Sequence, residues 1–333
     1  MSLSTWPTSV LVTGATGFIG RPLVRALVAQ GCEVGALVLP EDPVTGLDGV
    51  RRFEGDLTVA ESVQAAVMAF RPRAVMHLAA VGMASARSSP VELCQVNVMG
   101  TLHLLEAVRE AASVERLVCV GSSYEYGARR ADDGLDPFSP YSASKVAAWA
   151  FARAAFNAWG APVVWARPFQ VYGPGQHPAA LVPAAMRAAC AGEDFPMTRG
   201  EQQRDFIYVD DVVGGLMAAL RAPDLEGRVL DLGTGTLHRL YDVVAQIWAL
   251  AQAPGQIRAG ALPYRPGEVT AIPADVQRTR LLTGWTAQIP LRQGLVRTLR
   301  ALCPGVWSGD GERAEEMSAD VSAGLPKEVE DVG

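Results

Sequence analysis

The stretch VLVTGATGFIGRPLVRALVAQ, residues 10–30, decides the fold class of this chain. Its first three residues form an apolar run that predicts a buried strand, and residues 21–30 are apolar-rich in the way that predicts a helix. Between them lie three glycines, Gly14, Gly17 and Gly20. Glycines placed there predict a tight turn that leads from the strand into the helix. The chain is therefore expected to begin with a strand, a glycine turn and a helix.

The same alternation of short apolar runs and helical periodicity continues along the first half of the chain. Further strand candidates are residues 34–38, 74–78, 117–120 and 163–166. Strands that alternate with helices predict an α/β fold with a Rossmann-like, doubly wound parallel sheet. Thr58 and Glu61 have the spacing of a capping box. A helix is therefore predicted from about Val59 to before Pro72.

The pattern changes after residue 167, where prolines become frequent and the strand candidates become short. We expect residues 1–167 to form the Rossmann-like domain, with residues 205–232 rejoining it. A smaller, mixed α/β substrate-binding lobe is expected from residues 168–204 and 233–307. The remaining residues, 308–333, have too few large apolar groups to offset the entropy of ordering, so they are predicted to be a mobile acidic tail.

The charge of the chain argues against nucleic acids and membranes as partners. The formal net charge is −6 at pH 7. From Asp310 to Gly333 there are eight acidic and two basic residues, so the tail carries the whole net charge and the body is neutral. A neutral body has no broad basic face for phosphate backbones. No apolar run reaches about 18 residues and no signal peptide is recognisable, so we expect a cytoplasmic protein.

The spacing of cysteines and histidines argues against a metal site. The five cysteines show no C-x-x-C spacing, and we expect them to be reduced, mostly buried thiols. None of the four histidines has another histidine four residues away, which is the spacing of a helical metal site. We therefore predict no metal, and a structural role for His77 at the end of its strand.

The glycine turn predicts a binding site, because the amide groups at the start of a helix attract phosphate. A strand, a glycine turn and a helix in this order are typical of a site for the pyrophosphate of a dinucleotide. An NAD site usually has an acid at the end of the second strand, where this chain has Leu37-Val38-Leu39. Glu41 and Asp42 follow soon after, and Arg21 is the nearest arginine for the extra phosphate of NADP. The pattern leaves NADP and NAD open and favours NADP. Asp56, after the third strand, is placed either to meet the adenine edge or to cap its turn.

Tyr141 and Lys145 are four residues apart in a helix that is predicted to begin after Pro140. Their side chains are therefore expected on one face, one turn apart. We expect the ammonium of Lys145 and an oxidised nicotinamide to favour the phenolate of Tyr141, which then serves as a general base or acid. Ser122, at the end of the fifth strand, is placed to hold the reacting oxygen by a hydrogen bond. The three residues predict hydride-transfer chemistry.

Several motifs follow one another along the chain: Thr13-Gly-x-x-Gly-x-x-Gly, His77-Leu78-Ala79-Ala80, Asn97-x-x-Gly100-Thr101, Ser122-x-x-x-Tyr126-Gly127, Tyr141-x-x-x-Lys145, Tyr172-Gly173-Pro174, Gln203-Arg204-Asp205-Phe206 and Arg265-Pro266-Gly267-Glu268. Together they resemble the extended short-chain dehydrogenase/reductase family, in its nucleotide-sugar epimerase and 4-ketoreductase branch. The resemblance spans nearly the whole chain, to about residue 303. Ordered motifs over this length are far more specific than any one of them.

The resemblance implies a set of cofactor-binding residues, which are Gly14, Gly17, Phe18, Ile19, Gly20, Asp56, Leu57, Leu78, Ala79, Ala80, Asn97, Tyr141, Lys145 and Phe169. It implies that a nucleotide-diphosphate sugar is bound by Ser123, Gln170, Arg204, Arg265 and Glu268. Arginines suit the diphosphate, and Glu268 suits the ribose hydroxyls. Two positions depart from the family pattern, because Gln170 stands where the branch often has Asn and Glu125 where it often has an apolar residue. A homodimer through residues 91–112 and 141–159 is also implied, with internal packing of these segments as the alternative.

The resemblance leaves the reaction open. A 4,6-dehydratase of this family would have an acidic pair directly after its Ser or Thr, where this chain has Ser123 and Tyr124, with Glu125 one step later. Reduction of a 4-keto sugar and epimerisation at carbon 4 use the same Ser-Tyr-Lys set. The motifs GSSYEYG and RPFxxYGPGQ look closer to 4-keto-6-deoxysugar reductases. We therefore predict an NAD(P)-dependent 4-ketoreductase, with a 4-epimerase as the alternative and a dehydratase or a non-catalytic nucleotide sensor less favoured.

Overall fold

A sheet of seven parallel strands lies at the centre of the protein. The computed structural model describes residues 6–42, 46–82, 88–127, 134–264 and 272–305. The strands within these ranges are β1 (Ser9–Thr13), β2 (Glu33–Val38), β3 (Arg51–Glu54), β4 (Ala74–His77), β5 (Arg116–Val120), β6 (Val163–Pro168), β7 (Gln170–Tyr172), β8 (Phe195–Met197), β9 (Gln203–Tyr208), β10 (Val229–Leu232), β11 (Leu237–Arg239) and β12 (Ile257–Ala259). The order in the large sheet is β10-β6-β5-β4-β1-β2-β3. The predicted Rossmann-like, doubly wound sheet is confirmed.

The burial of the strands explains why this sheet is parallel and covered on both faces. Neighbouring residues of β1 point to opposite sides, so that Val10 and Val12 pack into one core and Leu11 into the other. β4 and β5 are buried along their whole length. Strands that are apolar on both faces require helices on both faces of the sheet.

Helices provide these two covering layers. Those of the described ranges are α1 (Gly20–Ala29), α2 (Ala60–Phe70), α3 (Pro90–Leu93), α4 (Gly100–Ala111), α5 (Pro140–Trp159), α6 (Leu181–Ala191), α7 (Val209–Arg221), α8 (Leu240–Ala251), α9 (Val276–Thr283) and α10 (Leu291–Leu302). α1 and α7 share the core around Val10, whereas α2, α4 and α5 share the core around Leu11. In the part of the chain described here, none of the helices has the length and apolar character needed to span a membrane.

The chain after β6 builds two smaller sheets beside the large one. β7, β9 and β11 form a three-stranded sheet in the order β11-β9-β7, and β8 pairs with β12. The register places Gln170, the first residue of β7, opposite Phe206 of β9. Within residues 205–232, β9 belongs to this small sheet, while α7 packs on the large sheet and β10 forms its edge. The chain therefore crosses between the sheets more than once.

The predicted capping box at Thr58 and Glu61 is wrong. α2 begins at Ala60, its N-cap is Val59, and no side chain caps it. The amide of Thr58 donates instead to a carboxylate oxygen of Asp56, 2.8 Å away. An aspartate two residues before an amide closes a local turn. Thr58 is held inside that turn and does not reach the start of the helix.

The expectation that all cysteines are reduced is wrong for one pair. Cys190 in α6 and Cys303 directly after α10 form a disulfide. They are 113 residues apart in sequence, but their Cα atoms lie 6.5 Å apart because α6 and α10 pack against each other. Of the free cysteines, Cys32 and Cys119 are buried and Cys94 is exposed.

Candidate functional site

The glycine turn between β1 and α1 leaves the start of the helix open to a phosphate group. Gly14 has a φ of +68°, and a Cβ there would come within 2.7 Å of the amide nitrogen of Ala79. A Cβ at Gly20 would overlap the carbonyl oxygen of Gly14. The first turn of α1 has no side-chain cap and no acidic residue. Because the amides of a helix start attract anions, this turn fits the pyrophosphate of a dinucleotide.

The other predicted cofactor contacts follow the carboxyl ends of strands of the large sheet. Asp56 and Leu57 lie two and three residues after the end of β3, and residues 78–80 come directly after β4. Phe18 and Ile19 complete the turn that leads into α1. Since β1, β3 and β4 are parallel, their carboxyl ends lie at one edge of the sheet, which is where ligands of doubly wound folds bind.

His77, the last residue of β4, is a neutral structural residue. Its Nδ1 shares a hydrogen bond of 2.8 Å with the hydroxyl of Thr13, and its Nε2 shares one of 3.2 Å with the hydroxyl of Thr101. Burial, helped by the charge of Lys145, lowers the pKa of His77 to about 3. Thr13 also accepts a hydrogen bond from the amide of Ala79. These bonds hold the segment after β4 against the glycine turn.

Ser122, Tyr141 and Lys145 come together beyond the carboxyl end of β5. This strand ends at Val120, and Ser122 follows it in an extended conformation. α5 begins at Pro140, so Tyr141 lies in its first turn and Lys145 one turn further on. The side chain of Ser122 lies close enough to the phenol of Tyr141 to lower its pKa. The ammonium of Lys145 donates to the carbonyl oxygen of Val120, 2.9 Å away. The three side chains thus form one cluster.

Local sequence fixes where α5 starts, and with it the place of Tyr141. The hydroxyl of Ser139 accepts a hydrogen bond from the amide of Ser142, and the hydroxyl of Ser142 accepts one from the amide of Ser139. Pro140 occupies the first helical position, where its missing N–H costs nothing. This reciprocal cap leaves the phenol of Tyr141 one residue inside the helix.

Burial decides the protonation states of the tyrosine and the lysine. It raises the pKa of Tyr141, and this outweighs the opposing hydrogen bond from Ser122. Glu125 and Tyr124 raise the pKa of Tyr141 further. Burial lowers the pKa of Lys145 to about 8, although the charge of Glu125 acts in the opposite direction. Burial therefore favours the protonated phenol of Tyr141, in opposition to the phenolate that Lys145 and an oxidised nicotinamide were expected to favour.

Asn97 joins the segment after β4 to α5. It lies in the π-helical turn Cys94–Met99, which connects α3 to α4. Its side chain accepts a hydrogen bond from the amide of Val81 and donates to the Val81 carbonyl oxygen, at 2.9 and 3.1 Å. It also donates to the hydroxyl of Ser144, 2.9 Å away. Because Ser144 directly precedes Lys145, Asn97 helps to fix the position of the lysine. Sequence periodicity does not distinguish such a π turn from ordinary helix, although π turns are frequent at functional sites.

Three predicted contacts lie next to the cluster on the side of the small sheet. Ser123 directly follows Ser122 in the short 3₁₀ turn Ser123–Glu125. Phe169 is buried between β6 and β7. Gln170 accepts a hydrogen bond of 3.4 Å from the hydroxyl of Tyr124. These contacts connect the turn that contains Ser122 to the first residue of β7.

The charged residues predicted to bind the nucleotide are separate from this cluster in sequence. Arg204 is buried in β9, two residues before the register partner of Gln170, and its guanidinium donates to the carbonyl oxygen of Gln203. Arg265 and Glu268 lie outside the described residues. The predicted acidic tail, residues 308–333, also lies outside them.

Known proteins share the fold and much of the sequence of this chain. A family model described as the NAD dependent epimerase/dehydratase family matches residues 10–233. The chain belongs to this family. The resemblance to extended short-chain dehydrogenases/reductases of the nucleotide-sugar branch is thereby confirmed.

Similar members of the epimerase/dehydratase family carry out different reactions. The chain is 31% identical to the UDP-glucose 4-epimerase of Mycolicibacterium smegmatis, over 87% of this chain and 96% of that protein. It is 26% identical, over 88% of its length, to an Arabidopsis thaliana trifunctional UDP-glucose 4,6-dehydratase, 3,5-epimerase and UDP-4-keto-L-rhamnose reductase, and spans 46% of that protein. Among solved structures, MoeE5 in complex with UDP-glucuronic acid and NAD is 34% identical, with a TM-score of 0.79, and the match covers 88% of this chain and 98% of that one. Family membership alone therefore leaves the reaction open.

Glu125 and Arg167 form a buried pair whose role was not predictable from the sequence. Glu125 has no exposed surface, and its carboxylate forms an ion pair with Arg167, with 2.7 Å between Oε2 and Nε. The side chain thus points into the protein, away from the solvent. The charged residue at a position that is often apolar in the family was the one sign of this pair in the sequence.

Proposed function

We propose that this member of the epimerase/dehydratase family reduces the 4-keto group of a nucleotide-linked hexose or 6-deoxyhexose. The observation that carries the proposal is the grouping of Ser122, Tyr141 and Lys145 beyond the carboxyl end of β5, where Lys145 donates to the carbonyl oxygen of Val120. Reduction of a ketone requires a hydride at carbon and a proton at oxygen. A phenol that is protonated at neutral pH is suited to supply that proton.

Each residue of the cluster has a separate task in this reaction. When bound, a nicotinamide dinucleotide supplies the hydride. Tyr141 gives its phenolic proton to the carbonyl oxygen as the C=O double bond opens, so that a neutral alcohol forms. Ser122 donates a hydrogen bond to the same oxygen and stabilises the charge that develops on it. The ammonium of Lys145 stabilises the phenolate that remains until it takes a proton from water.

Dehydration is disfavoured by the residues that follow Ser122. Loss of water from a sugar requires an acid and a base at adjacent carbons, and the positions for such a pair hold Ser123 and Tyr124. Glu125, one residue later, is fully buried and paired with Arg167. Its carboxylate is therefore unable to reach a sugar without breaking a buried ion pair.

A nucleotide-sugar 4-epimerase is the second candidate. The similarity to the UDP-glucose 4-epimerase of M. smegmatis favours it, at 31% identity over 96% of that protein. Epimerisation uses the same Ser-Tyr-Lys cluster but regenerates the oxidised cofactor in each cycle. The two candidates therefore differ in whether reduced cofactor is consumed.

Cofactor consumption decides between these candidates. Purified protein is mixed with NADPH and UDP-4-keto-6-deoxy-D-glucose, and the absorbance of reduced nicotinamide is followed together with the sugar product. A reductase consumes one NADPH for each alcohol formed. An epimerase interconverts UDP-glucose and its 4-epimer with no net change in absorbance, and a non-catalytic nucleotide sensor does neither. Absence of ketone-dependent NADPH oxidation would rule out the proposed reaction.

We infer that NADP is preferred to NAD. Val38, at the end of β2 where NAD sites usually have an acid, is apolar and buried. The guanidinium of Arg52 lies at this end of the strand, where it donates to the carbonyl oxygen of Pro40, 2.6 Å away. Arg21 at the start of α1 donates to the carbonyl oxygen of Thr16, 2.9 Å away. Guanidinium groups at the end of β2 and at the start of α1 suit the extra phosphate of NADP. Fluorescence titration should give tighter binding of NADPH than of NADH, and Arg52→Gln should reduce the difference.

We propose that the smaller lobe, residues 168–204 and 233–307, binds the nucleotide diphosphate. Arg204 is nearly buried in β9, where a bidentate guanidinium suits a diphosphate. The solved relative MoeE5 is in complex with UDP-glucuronic acid, which supports a uridine diphosphate sugar as the partner. Arg204→Lys should weaken binding of UDP more than binding of NADPH, and isothermal titration calorimetry measures both.

We propose a homodimer that uses α3 and α5. Phe151 of α5 is 46% exposed and Val91 of α3 is 65% exposed, so both helices keep apolar surface that their own chain does not cover. Trp149 and Trp159 of α5 instead pack onto the core, so internal packing accounts for part of the apolar composition. Light scattering should give a dimer for the wild type and a monomer for Phe151→Glu.

A further inference from the structure

The carboxylate of Glu125 is the centre of a buried network directly below the Ser122 turn. Its Oε1 accepts a hydrogen bond of 2.8 Å from the amide of Ser122. The indole of Trp165 donates to both carboxylate oxygens, at 3.1 and 3.2 Å, and Arg167 donates to Oε2 at 2.7 Å. Glu125 is thus held by three different donors, although none of its surface is exposed.

The Ser122 turn and Glu125 hold each other in place. The hydroxyl of Ser122 accepts a hydrogen bond of 3.2 Å from the amide of Tyr124, and Glu125 reaches back to the amide of Ser122. This reciprocal cap fixes the backbone from which the Ser122 hydroxyl extends. Gly121 leaves the space for it, because a Cβ there would overlap both the Trp165 nitrogen and the Glu125 oxygen.

Arg167 connects this turn to a distant part of the chain. Besides Glu125, its guanidinium donates to the hydroxyl of Tyr126, 2.9 Å away, and lies over the ring of that tyrosine. The hydroxyl of Tyr126 donates in turn to Asp231 of β10, 2.8 Å away. Asp231 accepts a hydrogen bond from the amide of Asp275, the N-cap of α9. A chain of polar contacts therefore leads from the Ser122 backbone to the start of α9.

We propose that Glu125 is a positioning residue, which together with Arg167 holds the backbone and the hydroxyl of Ser122 in place beside Tyr141. A buried ion pair is weak evidence for stability, since well-packed apolar residues often replace one without loss. Glu125 instead accepts a hydrogen bond from the backbone amide of Ser122. In the proposed reaction the hydroxyl of Ser122 contacts the reacting oxygen. This inference rests on the proposed function, because that function gives Ser122 its task.

A double-mutant cycle on kcat tests the proposal. Glu125→Leu with Arg167→Met removes both members of the ion pair together and replaces them by apolar groups of similar volume. In the wild-type background this change should lower kcat about tenfold or more, since small displacements of a catalytic group have effects of that size. The Kd of NADPH should stay within about twofold, because the glycine turn is far along the sheet from β6. In the Ser122→Ala background the same change should lower kcat by less than about twofold, because its effect passes through the serine hydroxyl.

An equal fold-decrease of kcat in the wild-type and Ser122→Ala backgrounds would overturn the proposal. A pair that only stabilises the fold would affect both enzymes alike. Asp194→Leu with Arg258→Met serves as the matched control, since it removes an exposed ion pair with 2.7 Å between its charged groups. Kinetics are measured per folded protein, as judged by circular dichroism. If the wild type does not reduce the 4-keto sugar, the proposed reaction has failed, and the cycle is measured on 4-epimerisation of UDP-glucose instead.

Hydrogen exchange gives a readout that needs no substrate. The amide of Ser122 should exchange slowly in the wild type and in the Asp194→Leu, Arg258→Met control. It should exchange quickly in the Glu125→Leu, Arg167→Met protein, while the amides of β4 and β6 remain protected. Unchanged protection of the Ser122 amide in that protein would also overturn the proposal.

Discussion

The ammonium of Lys145 donates a hydrogen bond of 2.9 Å to the carbonyl oxygen of Val120, the last residue of the strand that leads to Ser122. This bond joins α5 to β5 at the point where Tyr141 and Ser122 meet. It also places the ammonium in a buried setting, which lowers the pKa of Lys145 to about 8. The same contact therefore affects both the geometry of the cluster and its charge.

The side chain of Lys145 should lose its charge near pH 8, and NMR can follow this titration directly. Lys145 and Lys327 are the only lysines of the chain, so labelling lysine with carbon-13 at Cε gives two resolved signals by NMR. We expect an apparent pKa of about 8 for Lys145, which is below the ordinary lysine value of about 10.4. Because the neutral amine no longer stabilises a phenolate, kcat should fall as the pH rises through 8. A Lys145 signal that titrates near the ordinary lysine value would contradict this prediction.

Replacement of Tyr141 should separate chemistry from binding. Tyr141→Phe removes the proton donor but keeps the ring, so kcat should fall about 10²- to 10⁴-fold. The Kd of NADPH, measured by fluorescence, should change little. Tyr264→Phe is the matched control, because Tyr264 is 41% exposed and its hydroxyl contacts Glu201 at the surface. Substantial turnover by Tyr141→Phe would remove the tyrosine from the mechanism.

Addition of a methyl group at Gly20 should weaken cofactor binding. The new Cβ overlaps the carbonyl oxygen of Gly14, so the turn must open and its amides move away from the phosphate position. We expect the Kd of NADPH to rise about tenfold or more, which corresponds to about 1.4 kcal/mol. Gly305→Ala is the control, because a Cβ there meets no atom within 4 Å. Equal affinity for Gly20→Ala and the control would show that the turn does not contact the cofactor.

His77 should make the protein less stable in mild acid. Its pKa is about 3 in the folded protein and about 6.5 when unfolded, so only the unfolded chain takes up a proton between these values. Stability is therefore lost as the pH falls below 6.5, and the loss from pH 7 to pH 5 amounts to about 2 kcal/mol. Urea unfolding at both pH values should show this loss in the wild type and in His177→Gln, where the replaced histidine is exposed. His77→Gln should lack it, and an identical loss in all three proteins would refute the assignment.

The disulfide between Cys190 and Cys303 can be tested by counting reactive thiols. Unfolded without reductant, the protein should show three reactive thiols, and after reduction all five cysteines should react. Since the bond closes a loop of more than 100 residues, its reduction should lower the free energy of unfolding by about 2–5 kcal/mol. In Cys303→Ser the count should not rise on reduction. Five thiols before reduction would mean that the two sulfurs are not bonded.

Local sequence was sufficient for much of the fold. The apolar runs at β1, β2, β4, β5 and β6 and the glycine turn after β1 were predictable, because a strand buried on both faces requires an uninterrupted apolar run. The same order of strands placed Ser122 and the start of α5 at one edge of the sheet. The capping box at Thr58 failed because Asp56 offered that amide a nearer acceptor. The amide of Thr58 had two possible acceptors, the side chains of Glu61 and Asp56, and sequence spacing alone does not tell which hydrogen bond forms.

The sequence by itself determined the parallel α/β architecture, the glycine turn after β1 and the spacing of Tyr141 and Lys145 by one helical turn, because each depends on residues close together in the chain. Only the tertiary structure decided how the pKa values within that site shift, since burial raises the pKa of Tyr141 and lowers that of Lys145. It also decided which way Glu125 points and which cysteines meet. These outcomes depend on groups brought together from distant parts of the chain, and the low dielectric of a packed interior magnifies every such contact.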